Sequence, residues 1–316
     1  MTNKTEKDIV PYLRIPHIRF FIMDIKSRTP HMHEAFELFT VLKGNGTMTL
    51  QTGEIDLHSG DVMIVNPNKV HSFHCENDRL LILTIHLSLD FEHDYFPELK
   101  NIIFNCNEVI PASSADAIRV IELMNQAALS YFRLSSYDRH RCVALVTMLM
   151  SELLERFDHI EMTSSEYTAQ IYSSQRMYRI VKYIETHLTE PRLLQSTAQK
   201  EGLSSTYLSR LFTEYFNISF QEFLKQKRIE KAMRLLRTTN LPIYDICYEC
   251  GFQDYRQLNK YCWQTFGQSA SKCRDVEMIT DSGPITPREI SIEYRYSDQE
   301  TLDYLLQTVK NDRIEI

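Results

Sequence analysis

A chain of 316 residues that is 43% apolar and 24% charged has the usage of a globular protein with room for two domains, which excludes a disordered or fibrous chain. No apolar run approaches the roughly 18 residues of a membrane span, and the N-terminus MTNKTEKDIV lacks a signal peptide's apolar stretch, so a cytoplasmic protein without a membrane partner is expected. The net charge of −7 is uneven: residues 1–174 carry 15 basic and 23 acidic side chains, residues 175–274 carry 16 and 9, and residues 275–316 carry 4 and 10. A basic block between two acidic ones is an electrostatic footprint for a polyanion.

From Phe20 to Leu89 short apolar or alternating runs (FELFTVL, TMTLQ, DVMIV, LLILTIHLSL) are broken by KGNG, TGE and NPNK. This pattern predicts an antiparallel sheet folded on itself, a sandwich or barrel. Within it, HMHEAFE places His31, His33 and Glu37 close together, a set that either grips a metal ion or lines a pocket. Near Ser114 the period changes. Ile118, Ile121 and Leu129, then Val143, Val146, Leu149, Leu153 and Leu154, recur at helical spacing and predict two amphipathic helices over 113–158. The Ser/Thr-rich residues 159–175 read as a linker, part of which extends a helix in the other reading.

The basic block, 176–274, predicts an all-helical domain with a repeat. GLSSTYLSRLFTEYFN at 202–217 aligns with GFQDYRQLNKYCWQTFG at 251–267, each a glycine turn followed by a helix, so the block reads as two helix-turn-helix units. Gly202 suits a left-handed helix end and Ser204 a cap. In the first reading helix, Ser205 to Thr213, the outward set is Thr206, Ser209, Arg210 and Thr213; in the second it is Tyr255, Arg256, Asn259, Lys260 and Trp263. Arg and Lys bridge guanine O6 and N7, Asn pairs with adenine, and hydroxyls reach phosphates, so these residues suit the major groove of double-stranded DNA. The segment between the copies, SFQEFLKQKRIEKAMRLLRTTN, predicts a long spacer helix. Cys247 and Cys250 have no second Cys-x-x-Cys or His pair at zinc spacing and read as small buried hydrophobes.

RIVKYIETHL, AQKEGLSSTYLSRLF, SFQEFLKQKRIEKAMRLLRTTNLPIYDIC and GFQD, in that order, resemble the DNA-binding domain of the AraC/XylS family of bacterial transcription regulators. Residues 31–74 resemble the cupin-type barrel that commonly precedes it. The resemblance implies an α+β multidomain chain: a cupin-like sensor barrel over 1–112, two dimerisation helices over 113–158, and a double helix-turn-helix domain over 176–274. It further implies a homodimer, RNA polymerase as a partner, activation of transcription, and a small-molecule effector such as a sugar or related metabolite. In metal-binding cupins the pattern His-x-His, Glu, Gly and a later His occurs, which His31, His33, Glu37, Gly44 and His71 match. Beside a helix-turn-helix pair, His31, His33, Glu37 and His71 are assigned to effector binding, with no metal, cofactor or catalytic residue. The alternative is a metal-dependent cupin enzyme carrying a nucleic-acid module.

Five residues depart from the family pattern: Gln257 and Leu258 replace aromatics, Cys262 replaces a Phe, Ala270 a Pro, and Asn217 a Gly. Residues 275–316 extend past the usual end. ISIEYRY at 290–296 alternates like a strand, and Ser297 to Glu300 is a capping box before Leu302, Leu305, Leu306 and Val309. This acidic tail is expected to dock on the basic helical domain, either making good the packing at Gln257, Leu258 and Cys262, which is the preferred reading, or covering its DNA face.

Overall fold

A computed structural model of the protein describes residues 14–76, 78–91, 101–105, 109–133, 135–266, 268–275 and 291–312. The first seven strands are β1 (Ile18–His31), β2 (Phe36–Lys43), β3 (Gly46–Leu50), β4 (Gly53–Leu57), β5 (Val62–Val65), β6 (His71–His74) and β7 (Leu80–Leu87). They form one curled antiparallel sheet in the order β4-β3-β6-β1-β7-β2-β5, a cupin-like half-barrel. β1 is long enough to serve two partners: Ile18 to Ile25 pair with β7, and Ser27 to His31 with β6. Alternation then gives the sheet two apolar faces. Phe21, Met23, Phe39, Met48, Phe73 and Ile82 fill the concave side. Phe20, Ile22, Leu38, Leu83 and Ile85 point the other way, onto helices α1 (Ala115–Arg133) and α2 (Ser136–Arg156).

Both helices were legible, but the buried stripe of α1 is Val120, Leu123, Met124, Ala127 and Ala128, whereas Ile118 is 53% exposed. A ribbon of β8 (Ile102–Phe104) and β9 (His159–Glu161) lies at the sheet's open end, anchored by Asn66, whose amide donates to Phe104 O at 2.8 Å and accepts from Phe104 N at 3.0 Å. The linker reading of 159–175 needs correction. After β9 the chain enters α3 (Ser164–Thr186), started by a capping box in which Thr163 and Glu166 satisfy each other's backbone N–H. The Ser/Thr content marks that helix start rather than an irregular tether.

The helical domain continues with α4 (Leu193–Lys200), α5 (Ser205–Phe216), the spacer α6 (Phe220–Thr238), α7 (Ile243–Cys250), α8 (Tyr255–Phe266) and α9 (Ala270–Asp275). The two turns rest on Gly202 at φ +66° and Gly251 at φ +79°. At Gly251 a Cβ would sit 2.3 Å from Leu188 O, so the glycine is required there by space as well as by conformation. Phe212, Phe216, Phe220 and Phe223 stack into the core of the first unit. Leu258, Cys262, Cys247, Cys250 and Cys273 fill the core of the second, all at 2% exposure or less. Burial drives the Cys250 thiol pKa up to about 12, as befits an inert apolar filler.

The tail also departs from expectation. Its strand and helix are present as β10 (Ile292–Arg295) and α10 (Asp298–Asp312), and Ser297 and Glu300 form the capping box. Its main destination is the half-barrel rather than the helical domain, which it reaches only through Ser291 and Glu230 among the described contacts. β10 pairs antiparallel with Met23 to Ser27 of β1, and Leu305 is buried in the core shared with α1 and α2. The second unit left no vacancy for it, because Leu258 and Cys262 already close that core; the unpaired edge of β1 was the stronger site, offering backbone hydrogen bonds as well as apolar cover.

Candidate effector cluster and nucleic-acid interface

The concave face ends in a cluster of ionisable side chains. β1 brings His31, the following loop His33, β2 Glu37 and β6 His71, so the four residues singled out by the cupin resemblance do converge. A fifth, His86 on β7, faces the same centre and was missed. The alternation of LLILTIHLSL puts His86 in phase with Ile82 and Thr84, which is the signal that would have found it. Glu37 Oε2 lies 2.6 Å from His33 Nε2, 3.4 Å from His71 Nε2 and 3.5 Å from His86 Nε2.

Backbone carbonyls fix the tautomers. Nδ1 of His31 donates to Thr29 O at 3.0 Å, Nδ1 of His33 to Ala35 O at 3.1 Å, and Nδ1 of His71 to Lys69 O at 3.0 Å. A carbonyl only accepts, so each Nδ1 carries a proton, and Nε2 is the ring atom that each turns inward. Nε2 of His31 is buried without a hydrogen-bond partner, and His71 Nε2 is close to Glu37 but badly aligned for one. Three Nε2 atoms and a carboxylate thus face one another, and the 2.6 Å between His33 Nε2 and Glu37 Oε2 needs a proton or another cation between them.

Burial dominates the titration. It holds His31 well below the usual histidine range, reinforced by Arg28 and the neighbouring imidazoles, lowers His71 despite Glu37, and takes His86 down to about 4. Burial would raise Glu37, but the His33, His71 and His86 imidazoles gathered around it outweigh burial and leave the carboxyl well below its ordinary range. The ligand atoms of His31, His33 and His71, and of His33, Glu37 and His86, lie within 4.8 Å of one another. Neutral imidazoles with inward lone pairs, second ring nitrogens pinned by carbonyls and an ionised carboxylate are what a divalent transition metal requires. The residues fit such an ion better than the sequence reading allowed.

The residues expected to face DNA divide. On α5, Thr206, Arg210 and Thr213 are exposed and Ser205 and Ser209 half-buried. Arg210 is held by Glu214 at 3.1 Å and lies over the Tyr207 ring. On α8, Arg256, Lys260 and Trp263 are exposed, but two members of the predicted outward set are not. Asn259 turns in, its Oδ1 accepting from Ala270 N at 3.0 Å and from the Tyr255 hydroxyl at 3.3 Å, and Tyr255 packs on the second core. Asn259 is therefore corrected from a base-reading to a capping residue. With alanine rather than proline at 270, α9 begins with a free N–H, which donates to that amide oxygen. Asn217, standing for the family's glycine, adopts φ +54° and its amide donates to Leu50 O of the sensor at 3.4 Å.

A helix-turn-helix domain model matches residues 197–275 and a cupin domain model residues 22–86. The C-terminal domain of the two-component response regulator yesN from Fusobacterium nucleatum is 35% identical to this chain, which covers 98% of that domain, a third of this chain's length, with a TM-score of 0.30. The chain belongs to the AraC/XylS family. An uncharacterized HTH-type transcriptional regulator of Staphylococcus aureus is 25% identical over 277 residues, 87% of this chain, which spans only 35% of that relative's length. The Msm operon regulatory protein of Streptococcus mutans is 23% identical over 253 residues, 78% of this AraC/XylS chain and 86% of the relative. ToxT from Vibrio cholerae is 12% identical over 82% of the chain, with a TM-score of 0.43. Among the described residues no helix is long and apolar enough to cross a membrane.

Proposed function

We propose that this protein is a sequence-specific DNA-binding regulator of transcription whose half-barrel senses a small effector at His31, His33, Glu37 and His71, with His86 completing the site. The observation that carries the sensing role is the position of the cluster at the domain boundary. His31 and Met32 lie against α3 and against Phe216 and Phe223, and Thr29, whose carbonyl holds the His31 ring, hydrogen-bonds through its hydroxyl to Glu230 on the spacer helix. An effector that binds better to one domain arrangement shifts the protein towards it, and DNA affinity with it. Family kinship supports activation through RNA polymerase, a homodimer and cytoplasmic residence; the exposed Tyr137 and Met148 of α2 offer the dimer a surface. The regulator is no enzyme in this reading.

A second reading concerns the effector's nature. Family resemblance favours a sugar or other metabolite, whereas the acceptor-only centre favours a divalent metal ion held by His31, His33, His71 and Glu37. Such an ion would supply charge neutralisation and coordination bonds that tie β1, β2 and β6 together. The test is DNA selection from a random pool by purified protein, first stripped with chelator and then loaded with zinc, manganese, nickel or iron, alongside a metabolite screen. One enriched sequence whose retention changes with a ligand supports the proposal, and a His31→Ala, His33→Ala variant should bind that DNA without responding. Absence of any enriched sequence would overturn the regulator reading.

A further inference from the structure

A cavity of about 460 Å³ lies apart from the histidines, between the β3–β4 turn, the end of β5 and the β8–β9 ribbon. Leu50, Val65, Val70, Ile103, Phe104 and Ile160 give it an apolar wall. The polar groups around it are committed or balanced. The Asn66 amide is spent on Phe104, the Gln51 amide donates to Glu214 O at 2.9 Å, and His159 Nδ1 donates to Phe157 O at 2.9 Å. Exposed Lys69 and Asp158, of opposite charge, also line it. Ligand pockets span roughly 300–1,000 Å³ and are mainly apolar, so this one has the size and lining for a two- or three-ring molecule without net charge.

Its walls belong to the sensor, yet three of its residues touch the first helix-turn-helix unit. Gln51 holds the last turn of α5 through Glu214, the residue paired with Arg210. Leu50 O accepts from Asn217 at the end of α5, and Val70 is part of the core formed by Phe212 and Phe216. We infer that this cavity is a second binding site, for an uncharged, mainly apolar organic molecule, and that its occupancy is passed to α5 through the Leu50–Thr52 turn. This goes beyond the regulator reading and does not rest on it. An His33→Ala variant should keep this site, so the two stand or fall separately.

The probe is N-phenyl-1-naphthylamine, an uncharged fluorophore that brightens in apolar surroundings, titrated into the full chain. One saturable site per chain is expected. Ile160→Trp, at a position 63% exposed that tolerates bulk, should weaken it at least tenfold without lowering the melting temperature. Thr52→Trp, on the opposite rim, is the second block should the first variant misfold. Hydrogen exchange of residues 213–217 should slow several-fold with probe bound, and Gln51→Ala should keep the probe while losing most of that slowing. Non-saturable binding, or binding unchanged in a folded rim variant, would overturn the site. Exchange at 213–217 indifferent to bound probe would overturn the coupling.

Discussion

The two helix-turn-helix units share a plan and differ in their neighbours. The first shares its core with the sensor: Met32 and Val70 pack with Phe212, Phe216 and Phe223, and Gln51 and Leu50 bind the end of α5. The core of the second runs from Ile229 to Cys273 and, among the described residues, contains none from the half-barrel. Asn217 stands where the first unit meets the sensor and provides a contact there; Leu258, Cys262 and Ala270 lie within the second unit and close its core. In the proposed regulator the first unit is therefore the one that the half-barrel touches, and the second is the self-contained one.

Unequal cores give the largest expected effect. Phe212→Ala removes a ring packed against three others and should cost about 3–5 kcal/mol, loosening the sensor boundary as well. Cys262→Ala removes only a sulfur and should cost about 1 kcal/mol, confined to the second unit. Trp263, the only tryptophan, sits on α8 and reports that unit by fluorescence, while far-ultraviolet dichroism reports the whole chain. Equal losses from both substitutions would erase the distinction.

Leu305→Ala should come next, at about 2–4 kcal/mol, because the side chain is 3% exposed in the core with α1 and α2. Denaturation followed by dichroism should show a weakened sensor while the Trp263 transition holds. A shift in the Trp263 transition alone would mean that the tail serves the DNA-binding domain after all.

Acid should separate the regions further. His86 titrates near 4 in the fold against 6.5 in the unfolded chain, so between those values the unfolded state binds the extra proton and stability falls as pH drops. Glu37, held below its ordinary range, adds a loss in the same direction at lower pH. A sensor destabilised on the order of 1–3 kcal/mol between pH 6.5 and 4, with the loss relieved in His86→Gln, is the expected result. A flat profile would show that the cluster takes up its protons while folded.

Much of this was legible because period and punctuation are local properties. The strands of the half-barrel, both glycine turns, the tail's capping box and the grouping of His31, His33 and Glu37 follow from residues near one another in sequence, whereas His71 came from the resemblance to the cupin pattern. What was lost depended on partners distant in sequence. Asn259 reads as a base-contacting amide until α9 arrives to use it. The tail's destination turns on an open edge of β1 that no charge count reveals. His86 hides inside an apolar run because its alternation has meaning only once one face of β7 is known to carry Glu37's partners.

Footprinting on the selected DNA tests the central claim most directly, since it asks whether two unlike units read one site. Wild-type protein should protect two patches on one face of the duplex about one helical turn apart, roughly 34 Å. Arg210→Ala should weaken binding by about 1–3 kcal/mol and relax one base position in the first patch, while Lys260→Ala should cost less and leave the base preference of the second nearly unchanged. A single protected patch, or an Arg210→Ala loss equal on selected and random DNA, would contradict the account.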